Sequence, residues 1–160
     1  MPPEAILPPP RGLAAIPAHL RPWAAVGAAW AALIVLFRSD WTDMVAQWLD
    51  SSTYNHIVLV PAIVAWAFHQ RWSQLIRLNA VLWWPALLAF AAALLVWLLG
   101  AVAGFNLFKQ IGAVAVLPAT AALILGPRIT AGLTFPLAYM AFLVPFGDEL
   151  VPPLQMITAW

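Results

Sequence analysis

The side chains best suited to chemistry fall in two short polar runs. The first is Ser51-Ser52-Thr53-Tyr54-Asn55-His56, and the second is Gly147-Asp148-Glu149, trailed by Pro152, Pro153 and Gln155. An imidazole near carboxylates at a water boundary can transfer protons, hold a metal or bind a peptide terminus. The same residue types also suit a plainer role, with hydroxyls and amides capping a helix start and His56 resting at headgroup level. One histidine per loop falls short of a metal-ligand pattern, and His19 and His69 lie beside arginines as interfacial residues. The chain has no cysteine, which removes thiolate nucleophiles, disulfides and cysteine metal sites. No catalytic residue, metal or cofactor is therefore assigned. Tyr54, Asn55, His56, Asp148, Glu149 and Gln155 stand as candidates for substrate approach or active-site support.

What positions these runs is a membrane. Hydrophobic residues make up 64% of the 160 and charged residues only 8%, far from the roughly 45–50% and about 25% of soluble domains. Residues 78–108, 110–127 and 129–147 carry no charge at all, and a helix crossing a hydrocarbon core needs about 20 residues. The expected fold is all-α, a polytopic transmembrane helical bundle of about five spans near 22–37, 57–68, 82–99, 111–125 and 129–146. The bilayer is the expected partner. A net charge of +1 offers no electrostatic case for nucleic acid.

Lysine and arginine gather on the cytoplasmic side of membrane proteins. Five spans put Arg11, Arg21, Arg71, Arg77 and Arg128 on one side, with Arg38 and Lys109 on the other beside Asp40, Asp43, Asp50, Asp148 and Glu149. The N-terminus is then cytoplasmic, and both polar runs face outward. Trp23, Trp72, Trp83 and Trp84 would mark inner ends, Trp41, Trp48 and Trp97 outer ends, while Trp30 and Trp66 would pack more deeply. No ionisable residue falls at the centre of a span, which argues against a proton- or ion-coupled transporter.

Within the outer loop Trp41, Met44, Val45, Trp48 and Leu49 recur with helical spacing, predicting a short interfacial helix with Ser39 or Asp40 at its cap. Gly100 and Gly104 are spaced either for close helix contact or for entry into a loop. Pro61, Pro85, Pro118, Pro136 and Pro145 lie in or beside spans, where each releases a carbonyl that a neighbour must satisfy. Residues 1–21 read as a proline-rich cytoplasmic tail and 22–160 as the helical domain. Small residues after Arg21 would suit signal cleavage, but the apolar run continues through Trp30 to Phe37, as in an uncleaved span.

These residues resemble the N-terminal half of an exosortase. The likeness rests on the tryptophan-bearing outer loop leading into Ser52-Thr53-Tyr54-Asn55-His56, on Pro61, on the basic loop with Arg71 and Arg77, and on Trp97-Leu98-Leu99-Gly100. It continues through Leu133-Thr134-Phe135-Pro136-Leu137, the run from Phe142 to Leu150, and residues 151–159. The resemblance implies a cysteine transpeptidase or protease of the bacterial inner membrane that processes proteins bearing a PEP-CTERM sorting signal. Two departures stand out: Ile57 occupies the place of a usual glycine, and the family's catalytic cysteine, arginine and histidine map nowhere here. His56 matches a different motif from the catalytic histidine. A helix opened at Pro152-Pro153 and cut at Trp160 reads as a truncation, with a C-terminal half as the expected partner. The alternative is a non-enzymatic membrane component, a transporter subunit or an assembly scaffold.

Overall fold

The computed structural model describes residues 16–50, 54–146 and 155–157, and these are helical, with no strand among them. In chain order the helices are α1 (Arg21–Leu36), α2 (Arg38–Asp50), α3 (Val60–Leu75), α4 (Ala86–Ala103), α5 (Asn106–Leu125), α6 (Pro127–Gly132) and α7 (Thr134–Tyr139). Short 3₁₀ turns cover Ala18–Leu20, Asn55–Leu59 and Met140–Leu143. The tail expected over 1–21 lies outside the described residues as far as position 15, and its last residues already coil into the first helix.

Among the described residues three helices are long and apolar enough to cross a membrane: Ala18–Leu36, Ala86–Ala103 and Asn106–Leu125. The other two expected spans exist in altered form. The second is α3 preceded by a 3₁₀ turn, which together run from Asn55 to Leu75. The fifth is broken into α6, α7 and the turn Met140–Leu143.

Contacts between distant residues nevertheless show five passes between two ends. At one end Trp23 meets Trp72 with ring centroids 4.9 Å apart, Arg71 reaches the carbonyl of Gly132, and Val81 lies on Leu125. At the other, Phe37 packs on Trp97, Asp40 on Lys109, and Trp48 and Tyr54 on Leu143 and Phe146. These are called below the arginine end and the Asp40 end.

The centre is α5. Eleven of its residues are buried, against three in α4 and one in α1. Lipid gives helices no hydrophobic reason to associate, so close packing of small residues has to hold them. The buried side of α5 accordingly carries Gly112, Ala113, Ala119, Ala121 and Ala122. A Cβ on Gly112 would stand 2.6 Å from the Trp97 backbone nitrogen, so hydrogen alone lets α4 and α5 meet there. Outward, Leu88 and Val102 of α4 are 77% and 80% exposed, as lipid-facing side chains should be.

Of the two glycines in the suggested contact motif, Gly104 serves the loop: it ends α4 with a left-handed φ of 73°, where a side chain would be strained. Gly100 lies tight against the start of α5, where a Cβ would meet the Lys109 nitrogen at 2.6 Å. Both suggested roles are thus present, one on each residue.

The prolines explain several polar contacts. A helical proline leaves the carbonyl four residues earlier without its donor. Pro127 releases Leu123, whose oxygen accepts from the Trp83 N–H at 2.9 Å. Pro136 releases Gly132, whose oxygen accepts from Arg71 Nη1 at 2.7 Å. Where the last turn ends before Pro145, the Ala141 oxygen accepts from the Val144 N–H at 3.2 Å. The fifth pass stays satisfied although it is broken.

Two placements differ from the sequence reading. Trp66, expected to pack inside, is 60% exposed, because α3 turns Val64 and Ala67 inward instead. Trp30 does sit deep, donating Nε1–H to the Leu117 carbonyl at 2.9 Å. Helix α2 buries Asp40, Met44 and Trp48, leaving Val45 and Leu49 exposed. Its inward stripe therefore follows offsets of four, and its packing is against the protein itself.

Candidate functional site

At the Asp40 end a tryptophan and a tyrosine hold the backbone of residues 143–146. Trp48, at the end of α2, is 7% exposed and donates Nε1–H to the Leu143 carbonyl at 3.0 Å. Tyr54, also 7% exposed, donates its hydroxyl to the Phe146 carbonyl at 3.3 Å. Both acceptors belong to the segment after α7, where the last 3₁₀ turn gives way to extended backbone at Val144. Met44, Ile57, Leu143 and Val144 fill the space between, all inside the main core cluster. A phenol and an indole, each with one polar atom on an apolar body, suit a place that is dry on one side and hydrogen-bonded on the other.

Ile57, which stands where the exosortase pattern has glycine, is 4% exposed and packs in that cluster. Its N–H donates to the Tyr54 carbonyl at 2.8 Å, closing the 3₁₀ turn. A side chain here therefore adds to the packing beside Tyr54.

Of the other candidates, Asn55 and His56 lie exposed on the first residues of that turn, and Gln155 is exposed within the helical residues 155–157. Asp148 and Glu149 lie outside the described residues, as do residues 51–53. The structure thus joins Tyr54 to the backbone just before Gly147, and places Asn55 and His56 beside that joint in sequence. Among the described residues no group of three or more histidine, aspartate or glutamate side chains is arranged to hold a metal.

One polar group escaped the sequence reading. Asp40, expected as a helix cap, is 3% exposed. Its Oδ1 lies 3.2 Å from Lys109 Nζ, and its Oδ2 accepts from Trp97 Nε1–H at 2.9 Å. Both carboxylate oxygens are therefore partnered, which makes burial of the charge tolerable. This triad ties the bend between α1 and α2 to the α4–α5 hairpin. Lys109 can join it because α5 begins at Asn106, five residues before the expected Ile111, so the lysine lies in its first turn. The available signal was that Lys109 is the sole charge between Arg77 and Arg128.

Chemically, the described part of this end is a scaffold. It has donors that fix backbone, an exposed imidazole and a buried ion pair. With no cysteine anywhere in the chain, it has no thiolate.

Comparison with known proteins gives one family: the model described as transmembrane exosortase matches residues 48–160. That match begins at Trp48, the first residue of the joint described above. No curated protein matches the chain, and no solved structure does.

Proposed function

Because this chain belongs to the transmembrane exosortase family, we propose that it forms part of a membrane cysteine protease or transpeptidase that processes proteins carrying a PEP-CTERM sorting signal. The proposed location is the bacterial inner membrane, with the N-terminus in the cytoplasm and the Asp40 end facing outward. The basic residues support that direction, with five arginines assigned to one side and Arg38 and Lys109 to the other.

The observation that carries the reading is the joint at the Asp40 end, where Trp48 and Tyr54 hold the backbone at Leu143 and Phe146. Acyl transfer by a sortase-like route needs a thiolate and donors for the oxyanion. The thiolate comes from outside these 160 residues, as a further region of the same protein or a partner. This chain supplies the bundle wall and the rim where an anchored substrate arrives. Tyr54, Asn55, His56, Asp148, Glu149 and Gln155 are the residues proposed for substrate approach or support.

The test is to delete the coding sequence for this chain and follow the gel mobility of a tagged protein bearing the sorting signal. Processing should stop and return with the wild-type reading frame, and it should return only in part with Tyr54→Phe combined with His56→Ala. Undiminished processing in the deletion strain would refute the proposal. The absence of cysteine favours one second reading, a non-enzymatic membrane component. That reading predicts a stable partner on purification and no change in processing.

A further inference from the structure

The arginine end holds a cleft of about 560 Å³ between the loop after α3 and the junction of α5 with α6. Arg77, Asn79 and Trp83 line one side, and Gly126, Pro127 and Arg128 the other. The cleft exists because Gly126, with φ of 84°, lets Val81 lie directly on the end of α5, and a Cβ there would collide with the Val81 carbonyl. Trp83 fixes the loop on its far side through the Leu123 carbonyl.

Its charge is one-sided. No acidic side chain lines it, and among the described residues the only ion pair is that of Lys109 with Asp40 at the opposite end. Arg71, the neighbouring arginine, is already hydrogen-bonded to Gly132. Arg77 and Arg128 are both exposed and have no acceptor among the described residues.

We propose that this cleft binds the phosphate of an anionic phospholipid, with the guanidinium groups of Arg77 and Arg128 on its oxygens. The guanidinium fork matches phosphate oxygens in pairs, and basic pockets between transmembrane helices are suited to lipid headgroups. The cleft lies where α3 and α5 end and α4 begins. Val81 and Leu82 in its lining and Trp84 next to them are 63%, 49% and 64% exposed, an apolar surface against which acyl chains can lie. Free phosphate shares the headgroup chemistry but has no use for that surface. The proposal holds whichever side of the membrane this end faces.

The test is native mass spectrometry of the whole chain in micelles, titrated separately with phosphatidylglycerol, phosphatidylcholine and inorganic phosphate. Phosphatidylglycerol should be retained, while phosphatidylcholine is lost and inorganic phosphate fails to displace the bound lipid at equal concentration. With each basic residue contributing about a fivefold effect at a lipid surface, Arg77→Gln with Arg128→Gln should weaken retention by about 25-fold. Arg21→Gln, at the same end but outside the cleft, should leave it unchanged. If the double variant does not fold, each single variant should still show its own loss of about fivefold. Equal retention of phosphatidylcholine, displacement by inorganic phosphate, or an equal loss in Arg21→Gln would each overturn the proposal.

Discussion

At the Asp40 end polar side chains are turned on the protein: Asp40 on Lys109 and Trp97, Trp48 on Leu143, Tyr54 on Phe146. At the arginine end the side chains of Arg21, Arg71 and Thr130 donate to backbone carbonyls, and among the described residues no ion pair forms there. Arg77 and Arg128 face a cleft open to the surroundings. The difference shows how a largely apolar bundle divides its few charges. Inward pairs fix geometry around Tyr54 and Phe146, while the outward cations stay exposed.

The sharpest way to break the comparison is to remove one member of the inward pair. Lys109→Met leaves a carboxylate that is 3% exposed without its cation. Losing one partner of a buried pair costs about 3–5 kcal/mol. Lys109 itself is 24% exposed, which places the expected loss at the lower limit, about 3 kcal/mol. Unfolding by sodium dodecyl sulfate in mixed micelles would measure it. Adding Asp40→Asn to the same chain should restore most of the loss. Failure to restore it would mean that the pair is not what stabilises this end.

A smaller effect is expected at the arginine end. Arg71→Met removes the donor to the carbonyl freed by Pro136. Hydrogen bonds from charged groups contribute about 1.5–3 kcal/mol, and the exposed setting argues for about 1.5. The same unfolding assay applies, and hydrogen exchange should rise between α6 and α7 while α2 stays protected. Uniform loss of protection would contradict the division between the ends.

Smallest is Tyr54→Phe, which keeps the ring and deletes the hydroxyl that donates to the Phe146 carbonyl. Interhelical hydrogen bonds in membranes average about 0.6 kcal/mol. The stability change should be of that order, yet processing of a tagged substrate should fall clearly if the joint at Phe146 positions the rim. Unchanged processing would separate the joint from function.

Much of the bundle was legible because lipid-facing helices must be apolar over their full length. The uncharged runs located α4 and α5, and the tryptophan spacing located α2 within the range Arg38–Asp50. The fifth pass was misread as continuous because Ile129 to Phe146 is uncharged throughout. Apolarity records the solvent, and does not record where Leu133 and the prolines interrupt the hydrogen bonds. Asp40 was misread for a related reason: a cap and a buried ion pair use the same residue. Only the return of Lys109 from a distant part of the chain separates them. Tyr54 was legible within its polar run, while the joint it forms with Trp48 depends on backbone carbonyls of Leu143 and Phe146 that no side-chain pattern reveals. Asp148 and Glu149 lie outside the described residues.

The most direct test of an outward Asp40 end uses the absence of native cysteine. Asn55→Cys and Asn79→Cys, made singly, would be treated with a membrane-impermeant maleimide in spheroplasts before and after lysis. Asn55→Cys should label in intact spheroplasts, and Asn79→Cys only after lysis. The reverse pattern, or labelling of both before lysis, would contradict the account.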